Sequence, residues 1–288
     1  LQSEGYHAEF LTAREARAFE PEASESLSGF MFLTKRGKAN PTKATVAFSE
    51  AAAALGANIK TGHDVKELSQ QQDGSWQVIS NQGEFKAKTL ALAVGAWSRP
   101  VGDMLGIDIP ITPIRGQMWA TEPVPPSIFH LIGSMESPFD WSSQPPSNDH
   151  PPEITHHGDT RITRHLYGGQ SRNGEIIFGG DRQSVGYDYS QNAEGIEVNR
   201  GQASEVIPLM GKLPISRTWS GMMPFSMDGK PIIGKVPGFK NLFILTGLAS
   251  SGFGRGPMAG KLLANYIHTS HPALVLAESD PARCITFK

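Results

Sequence analysis

The stretch Asn241–His268, NLFILTGLASSGFGRGPMAGKLLANYIH, constrains this chain more than any other. Leu242–Thr246 is an apolar run of strand length, which fits a buried strand. Small residues follow, with Gly252, Gly254 and Gly256 behind Ser250 and Ser251, and then Leu262, Leu263, Tyr266 and Ile267 recur at helical spacing. A strand-to-helix junction without bulk lets a ligand approach the backbone. The start of the helix offers unpaired N–H groups and a favourable dipole to an electron-rich group. The glycine spacing is not the G-x-G-x-x-G of dinucleotide-binding turns.

Other segments place this junction in a mixed chain. Asn40-Pro41 starts a helix, Asn as cap and Pro in the first turn, and the alanines carry it to Leu55, where Gly56 ends it. Thr12 with Glu15 makes a capping box ahead of a shorter helix closed by Pro21. Asn58–Thr61, His63–Leu68, Trp76–Ser80 and Glu84–Val94 have strand character, with Asp73-Gly74 as a turn. Asn192–Met210 reads as a helix, and Arg172-Asn173-Gly174 as a hairpin turn. Residues 133–160, rich in Pro, Ser and His, read as a loop insertion. The fold class is therefore α/β, α+β mixed, with an α/β core interleaved with an antiparallel-sheet domain. The expected division puts 36–109 and 226–288 in the core and 1–35 and 110–225 in the sheet domain.

With 288 residues the chain is long enough for two interleaved domains. A formal charge of −2 gives no reason to expect nucleic acid or an anionic membrane as partner. The single Cys284 excludes an internal disulfide. With no leader recognisable after Leu1, the expected location is cytoplasmic. His150, His156, His157 and Asp159 lack the rigid spacing of a metal site, so no metal is expected.

Several phrases occur together in a recognisable order: LTAREARAFEP (11–21), KANPTKATVAFSEAAAALGANIKTG (38–62), TLALAVGAWS (89–98), PIRGQ (113–117), WSGMMPFSMDGKPIIG (219–234), the glycine-rich junction and DPARC (280–284). They resemble the FAD-dependent oxidoreductases of the D-amino acid oxidase type, which include glycine and sarcosine oxidases. The resemblance covers nearly the whole chain outside 133–160. That family opens on a βαβ unit with G-x-G-x-x-G, which holds the FAD pyrophosphate. No such motif occurs here. The resemblance thus implies an incomplete FAD/NAD(P)-binding Rossmann-like domain, short of a segment on the order of a hundred residues.

The resemblance also implies roles. Gly95, Ala96 and Trp97 fall near the FAD ribose and pyrophosphate, and backbone groups of Val65 near the adenine. Gly116 and Gln117 flank the flavin ring with Arg115. Ser251, Gly252, Phe253 and Gly254 turn N–H groups to the flavin's pyrimidine edge, where donors stabilise the reduced form. Arg115, Arg217 and Arg255 are candidates for binding a substrate carboxylate. In the sarcosine-oxidase branch a cysteine near Met223–Asp228 bonds to the flavin. Cys284 lies far along the chain, so a noncovalent FAD is expected. The implied activity is oxidation of a small amine or amino acid by hydride transfer to flavin, then imine hydrolysis. A competing reading is a catalytically inactive fragment or a partner-dependent subunit of such an enzyme.

Overall fold

The computed structural model describes residues 5, 7–34, 37–134, 156–157, 160–161 and 165–288. In chain order the elements are β1 (Ala8–Leu11), α1 (Ala13–Ala16), β2 (Phe30–Leu33), α2 (Pro41–Ala54), β3 (Val65–Gln70), β4 (Trp76–Ser80), β5 (Gly83–Ala87) and β6 (Leu90–Leu92). Next come α3 (Ser98–Met104), β7 (Ile107–Asp108), β8 (Ile111–Thr121), β9 (Ile132–Gly133), β10 (His156–His157), β11 (Thr160–Arg161), β12 (Tyr167–Gln170) and β13 (Ile176–Gln183). The last are α4 (Ala193–Val206), β14 (Ile215–Ser226), β15 (Ile232–Lys235), β16 (Leu242–Thr246), α5 (Gly252–Thr269) and β17 (Thr286–Phe287). They form two compact units. The described residues 5–38, 115–134 and 156–222 make the first, and 39–114 and 223–288 the second, so β8 and β14 each pass from one to the other.

In the second unit β16 lies between β15, antiparallel to it, and β6, parallel to it. Its side chains alternate as a strand requires. Leu242 and Ile244 join Leu68, Trp76, Leu92, Ile107, Ile109 and Ile232 in one core, whereas Phe243 packs with Ile233, Ala259, Leu263 and Leu276 under α5. Each such side chain, fully buried, contributes about 1.5–3 kcal/mol. The meander β3-β4-β5 forms a separate antiparallel sheet. The DPARC tail closes the unit: Arg283 donates from Nε to Asp228 Oδ2 at 2.8 Å and from Nη2 to Oδ1 at 3.2 Å. Burial raises the Asp228 pKa, but these bonds prevail and hold it below the ordinary aspartate value.

The first unit is built on β13, antiparallel to β12 on one side and to β8 on the other, with β14 beyond β8. Trp119 and Phe178, an adjacent pair across β8 and β13, stack at 5.9 Å and pack with Ile196, Ala203 and Ile207 from α4 and its end. Asn192 caps α4 by accepting from the Gly195 N–H at 2.7 Å. The buried Glu20 carboxylate accepts from the backbone N–H groups of Phe129 and His130, holding the end of the α1 segment to the chain before β9.

Three local expectations fail, the first two for reasons of pairing. Asn58–Thr61 is not a strand, because no described residue pairs with its backbone. Glu84–Val94 is two strands, β5 and β6, which belong to different sheets. The α4 helix ends at Val206, and Pro208–Gly211 continues as a 3-10 turn. Within 133–160 the described residues include a strand, His156–His157, paired with Thr160–Arg161. His150 and Asp159 lie outside the described residues. No helix among the described residues is long and apolar enough to cross a membrane.

Candidate functional site

Because β6 and β16 run parallel in register Leu90↔Leu242 to Leu92↔Ile244, the segments after them leave the sheet at the same end. After β6 comes Gly95-Ala96-Trp97, a single 3-10 turn, and after β16 comes Gly247 and the turn Ala249–Ser251. A buried hydroxyl pair locks the two together. Ser98 Oγ donates to Thr246 Oγ1 at 2.8 Å and lies 2.6 Å from the Gly95 carbonyl. Gly95 sits at φ +54°, and a Cβ built there meets nothing within 4 Å. Trp97 is half exposed.

The glycines after Ser251 are not in a loop. They form the first turn of α5, which starts at Gly252 with no side-chain cap, directly after the 3-10 turn Ala249–Ser251. Gly254 and Gly256 have open space where a Cβ would stand. Pro257 removes a helix donor one turn in. The approach to the helix is strained: Ala249 has φ +49°, a left-handed conformation that costs a non-glycine residue about 1 kcal/mol. Phe253 and Arg255 are exposed, and no described residue pairs with the Arg255 guanidinium. Val65, also in this unit, is partly exposed at the start of β3.

In the first unit the register of β8 against β13 sets the polar pairs. A bulge between Gly179 and Asp181 places Gln117 opposite Asp181, Gly116 opposite Arg182 and Arg115 opposite Gln183. Gln117 Nε2 donates to Asp181 Oδ2 at 2.6 Å while its Oε1 accepts the Asn192 N–H at 2.6 Å. Arg115 is 4% exposed. Its guanidinium donates to Gln183 Oε1 and the Ser190 carbonyl, and to Asp188 Oδ2 at 3.2 Å, so it anchors residues 183–190. Hydrogen bonds from Ser190, and then the charge of Arg115, hold Asp188 below the ordinary aspartate pKa. Arg217 donates to Glu175 Oε1 at 2.9 Å and lies over the Trp219 ring at 4.4 Å.

A family model described as FAD dependent oxidoreductase (DAO) matches residues 1–266. The chain belongs to this family. It is 27% identical over 205 residues to the glycine oxidase of Pseudomonas aeruginosa, covering 71% of this chain and 48% of the relative. The crystal structure of glycine oxidase from Geobacillus kaustophilus superposes with a TM-score of 0.80 at 21% identity, over 98% of this chain and 68% of that one. That of L-proline dehydrogenase from P. horikoshii gives 0.81 at 25% identity, over 98% and 70%. The chain thus spans about half of the first relative and about two thirds of the two structures.

Members of this family are FAD-dependent, and the second unit's residues fit part of such a cofactor. The uncapped first turn of α5 and the open sides of Gly95, Gly254 and Gly256 leave backbone accessible where a side chain would block it. Sequence patterns did not single out a polar cluster in the first unit, made of the buried Arg182 and Asn199 with the half-buried His165. Arg182, on the face of β13 opposite Asp181, lies with Nη2 2.7 Å from His165 Nε2. Asn199 accepts from Trp119 Nε1 at 2.9 Å and donates to the His165 carbonyl at 3.2 Å. Burial, and then the charge of Arg182, lower the His165 pKa from 6.5 to about 3, so the ring is a neutral acceptor. Adjacent charges inside the glycine-flanked strand FGGDRQ were the available signal.

Proposed function

We propose that this protein is an FAD-dependent oxidoreductase that oxidises a small amine or amino acid. The observation carrying this reading is the convergence of Gly95–Trp97 and the open first turn of α5 at one end of the parallel β6–β16 pair. Ligands of α/β sheets bind at the carboxyl ends of parallel strands. Bound FAD supplies the two-electron oxidation of a C–N bond, after which water hydrolyses the imine product.

In this proposal Gly95, Ala96 and Trp97 bind the ribose and pyrophosphate region, and Val65 the adenine. Ser251, Gly252, Phe253 and Gly254 direct N–H groups to the flavin ring, where the helix dipole favours electron density. Arg255, with no partner for its guanidinium among the described residues, is the candidate for holding a negative charge there or on the substrate. Gly116 and Gln117 belong to the strand assigned to the flavin's flank. Arg115, whose hydrogen bonds go to 183–190, acts by positioning that loop, and Arg217 is held by Glu175.

Equilibrium titration with FAD tests the reading, with tight uptake and visible flavin absorbance as the expected result. A protein that stays colourless and takes up no added FAD refutes it as a self-sufficient enzyme. Acid denaturation should release all the flavin, because Cys284 packs against the Pro281 carbonyl in the tail. Arg255→Met should weaken flavin or substrate binding by roughly tenfold, the loss of one charge-assisted contact. Unchanged affinity and turnover would return Arg255 to the surface.

A further inference from the structure

The turn between β12 and β13 carries chemistry that the flavin reading does not use. Asn173-Gly174 is the one Asn-Gly pair in the sequence, and every other asparagine precedes a residue with a side chain. A backbone nitrogen can close on the side-chain amide carbon of the residue before it, and the missing Cβ of glycine removes the steric barrier to that approach. Asp73-Gly74 and Asp228-Gly229 share the glycine but not the electrophile. Hydrogen bonds from Ser75 hold Asp73 below the ordinary aspartate pKa, and at Asp228 burial is outweighed by the bonds from Arg283. Both stay ionised, and a carboxylate resists nucleophilic attack.

The hairpin exposes this pair and at the same time holds it. Asn173 is exposed at the tip, and Gly174 takes φ +93°. The Gly174 N–H donates to the Ser171 carbonyl at 3.0 Å, and the Ser171 N–H donates to the Glu175 carbonyl at 2.8 Å. Asn173 Nδ2 donates to Glu175 Oε2 at 2.7 Å, while Ser171 Oγ donates to Asn173 Oδ1. The other Glu175 oxygen accepts from Arg217, and bonds from Arg217 and then Asn173 hold this carboxyl below the ordinary glutamate pKa. The Gly174 carbonyl accepts from the Val124 N–H at 3.1 Å and from Gln170 Nε2 at 2.9 Å. The tip is thus tied to the chain after β8 through the residue that follows Asn173.

We propose that Asn173 is a self-modification site, whose conversion to isoaspartate or aspartate loosens the β12–β13 turn from Val124, Gln170 and Arg217. Solvent base removes the Gly174 N–H proton, the nitrogen bonds to Asn173 Cγ, and the bond from Cγ to Nδ2 breaks as ammonia leaves. Water then opens the cyclic imide, at Cγ to give aspartate or at the backbone carbonyl carbon to give isoaspartate. No electrons are transferred and no cofactor takes part. Conversion replaces a donor to Glu175 with a second carboxylate beside it, so an attraction becomes a repulsion. Isoaspartate also inserts a methylene into the backbone ahead of Gly174, which displaces the carbonyl shared by Val124 and Gln170. Glu175, clamped by Arg217, sets the pace by holding the amide in one rotamer. The inference stands apart from the flavin reading, since every group it uses lies in the turn and its contacts.

The test incubates the full chain in mildly alkaline buffer, native and unfolded in urea, and follows the chymotryptic peptide 168–178 by mass and isoaspartate content. Cleavage after Tyr167 and Phe178 leaves Asn173 internal, so digestion does not create a reactive terminus there. In the native protein the exchange of NH for O should appear at Asn173, about tenfold more slowly than in urea, because the amide is held. Glu175→Ala should speed native conversion by about threefold to tenfold, the loss of one exposed charge-assisted hydrogen bond. Asn173→Gln, whose longer side chain does not close this ring readily, should show no change at that position. The converted protein, separated by its extra negative charge, should exchange the Val124 amide at least about tenfold faster and melt lower. A native protein whose peptide stays unchanged while the urea-unfolded chain converts would overturn the proposal. Equal rates with and without the Glu175 carboxylate, or converted protein with Val124 as protected as before, would do the same.

Discussion

His165 makes the stability of the first unit depend on pH in a calculable way. Its Nε2 accepts from Arg182 at 2.7 Å, its Nδ1 is buried without a partner, and its folded pKa is about 3 against 6.5 unperturbed. A lowered folded pKa means that the unfolded chain binds the proton first as pH falls. The stabilisation is therefore complete above 6.5 and is lost progressively down to about 3. Within that window the slope from one such group is about 1.4 kcal/mol per pH unit, so acidifying to about pH 4.5 removes roughly 2.7 kcal/mol, close to a 100-fold change in opening equilibrium. The perturbation is His165→Gln, which keeps an acceptor for Arg182 and does not titrate. The assay is hydrogen exchange of peptides from β12 and β13, corrected for intrinsic rates, at pH values from 7 to 4.5 in both proteins. Other titrating groups are common to both and cancel in the difference. The wild-type protein should lose about 100-fold more protection than the variant over this range. Parallel curves would refute the reasoning and mean that the ring is protonated in the folded state or already open to water.

Gly195→Ala should destabilise the first unit by about 1–2 kcal/mol even though alanine is the better helix former, because the cost of overpacking prevails. The new Cβ would lie 2.7 Å from Asp181 Oδ2 and 3.0 Å from Gln117 Nε2. Stabilisation in urea unfolding would show that the pair is not rigid. Ala249→Gly should stabilise by roughly 0.5–1 kcal/mol in thermal unfolding, since it relieves the left-handed strain at a small entropic cost. A lower melting temperature would mean that the alanine methyl packs more than it strains. Ser98→Ala should cost about 1–2 kcal/mol by leaving the buried Thr246 hydroxyl and the partly buried Gly95 carbonyl with fewer partners. It should also raise exchange at the end of β16, and no change in either would sink the role given to this hydroxyl.

Local signals were read where their energies are local. The bounds of α2 follow from Asn40, Pro41 and Gly56, and Thr12 forms the predicted capping box with Glu15, because caps and glycine turns act within a few residues. The burial of Leu242–Thr246 was equally legible, since an apolar run must leave water wherever it finds cover. The strands failed where a partner decided the outcome. Glu84–Val94 divides because β5 pairs with β4 and β6 with β16, partners that no property of the segment itself selects. Glycines 252, 254 and 256 looked like a loop by propensity, yet packing of Ala259 and Leu263 under the sheet draws them into the first turn of a helix.

The junction after Thr246 was visible in the sequence as small residues between a buried run and an amphipathic one, a composition that lets a ligand approach the backbone. That it shares a sheet end with Gly95, 152 positions before Gly247, depends on the parallel register of β6 with β16 and on Ser98 reaching Thr246. The same holds for the arginines. Sequence supplied the charge of Arg115, but only the register of β8 on β13 and the bulge at Gly179/Asp181 bring Gln183, Asp188 and Ser190 to it. Propensity and hydrophobicity are sums over neighbours in the chain and can be read along it. Hydrogen-bond geometry depends on ångström distances between residues far apart in it, and only the folded backbone fixes those.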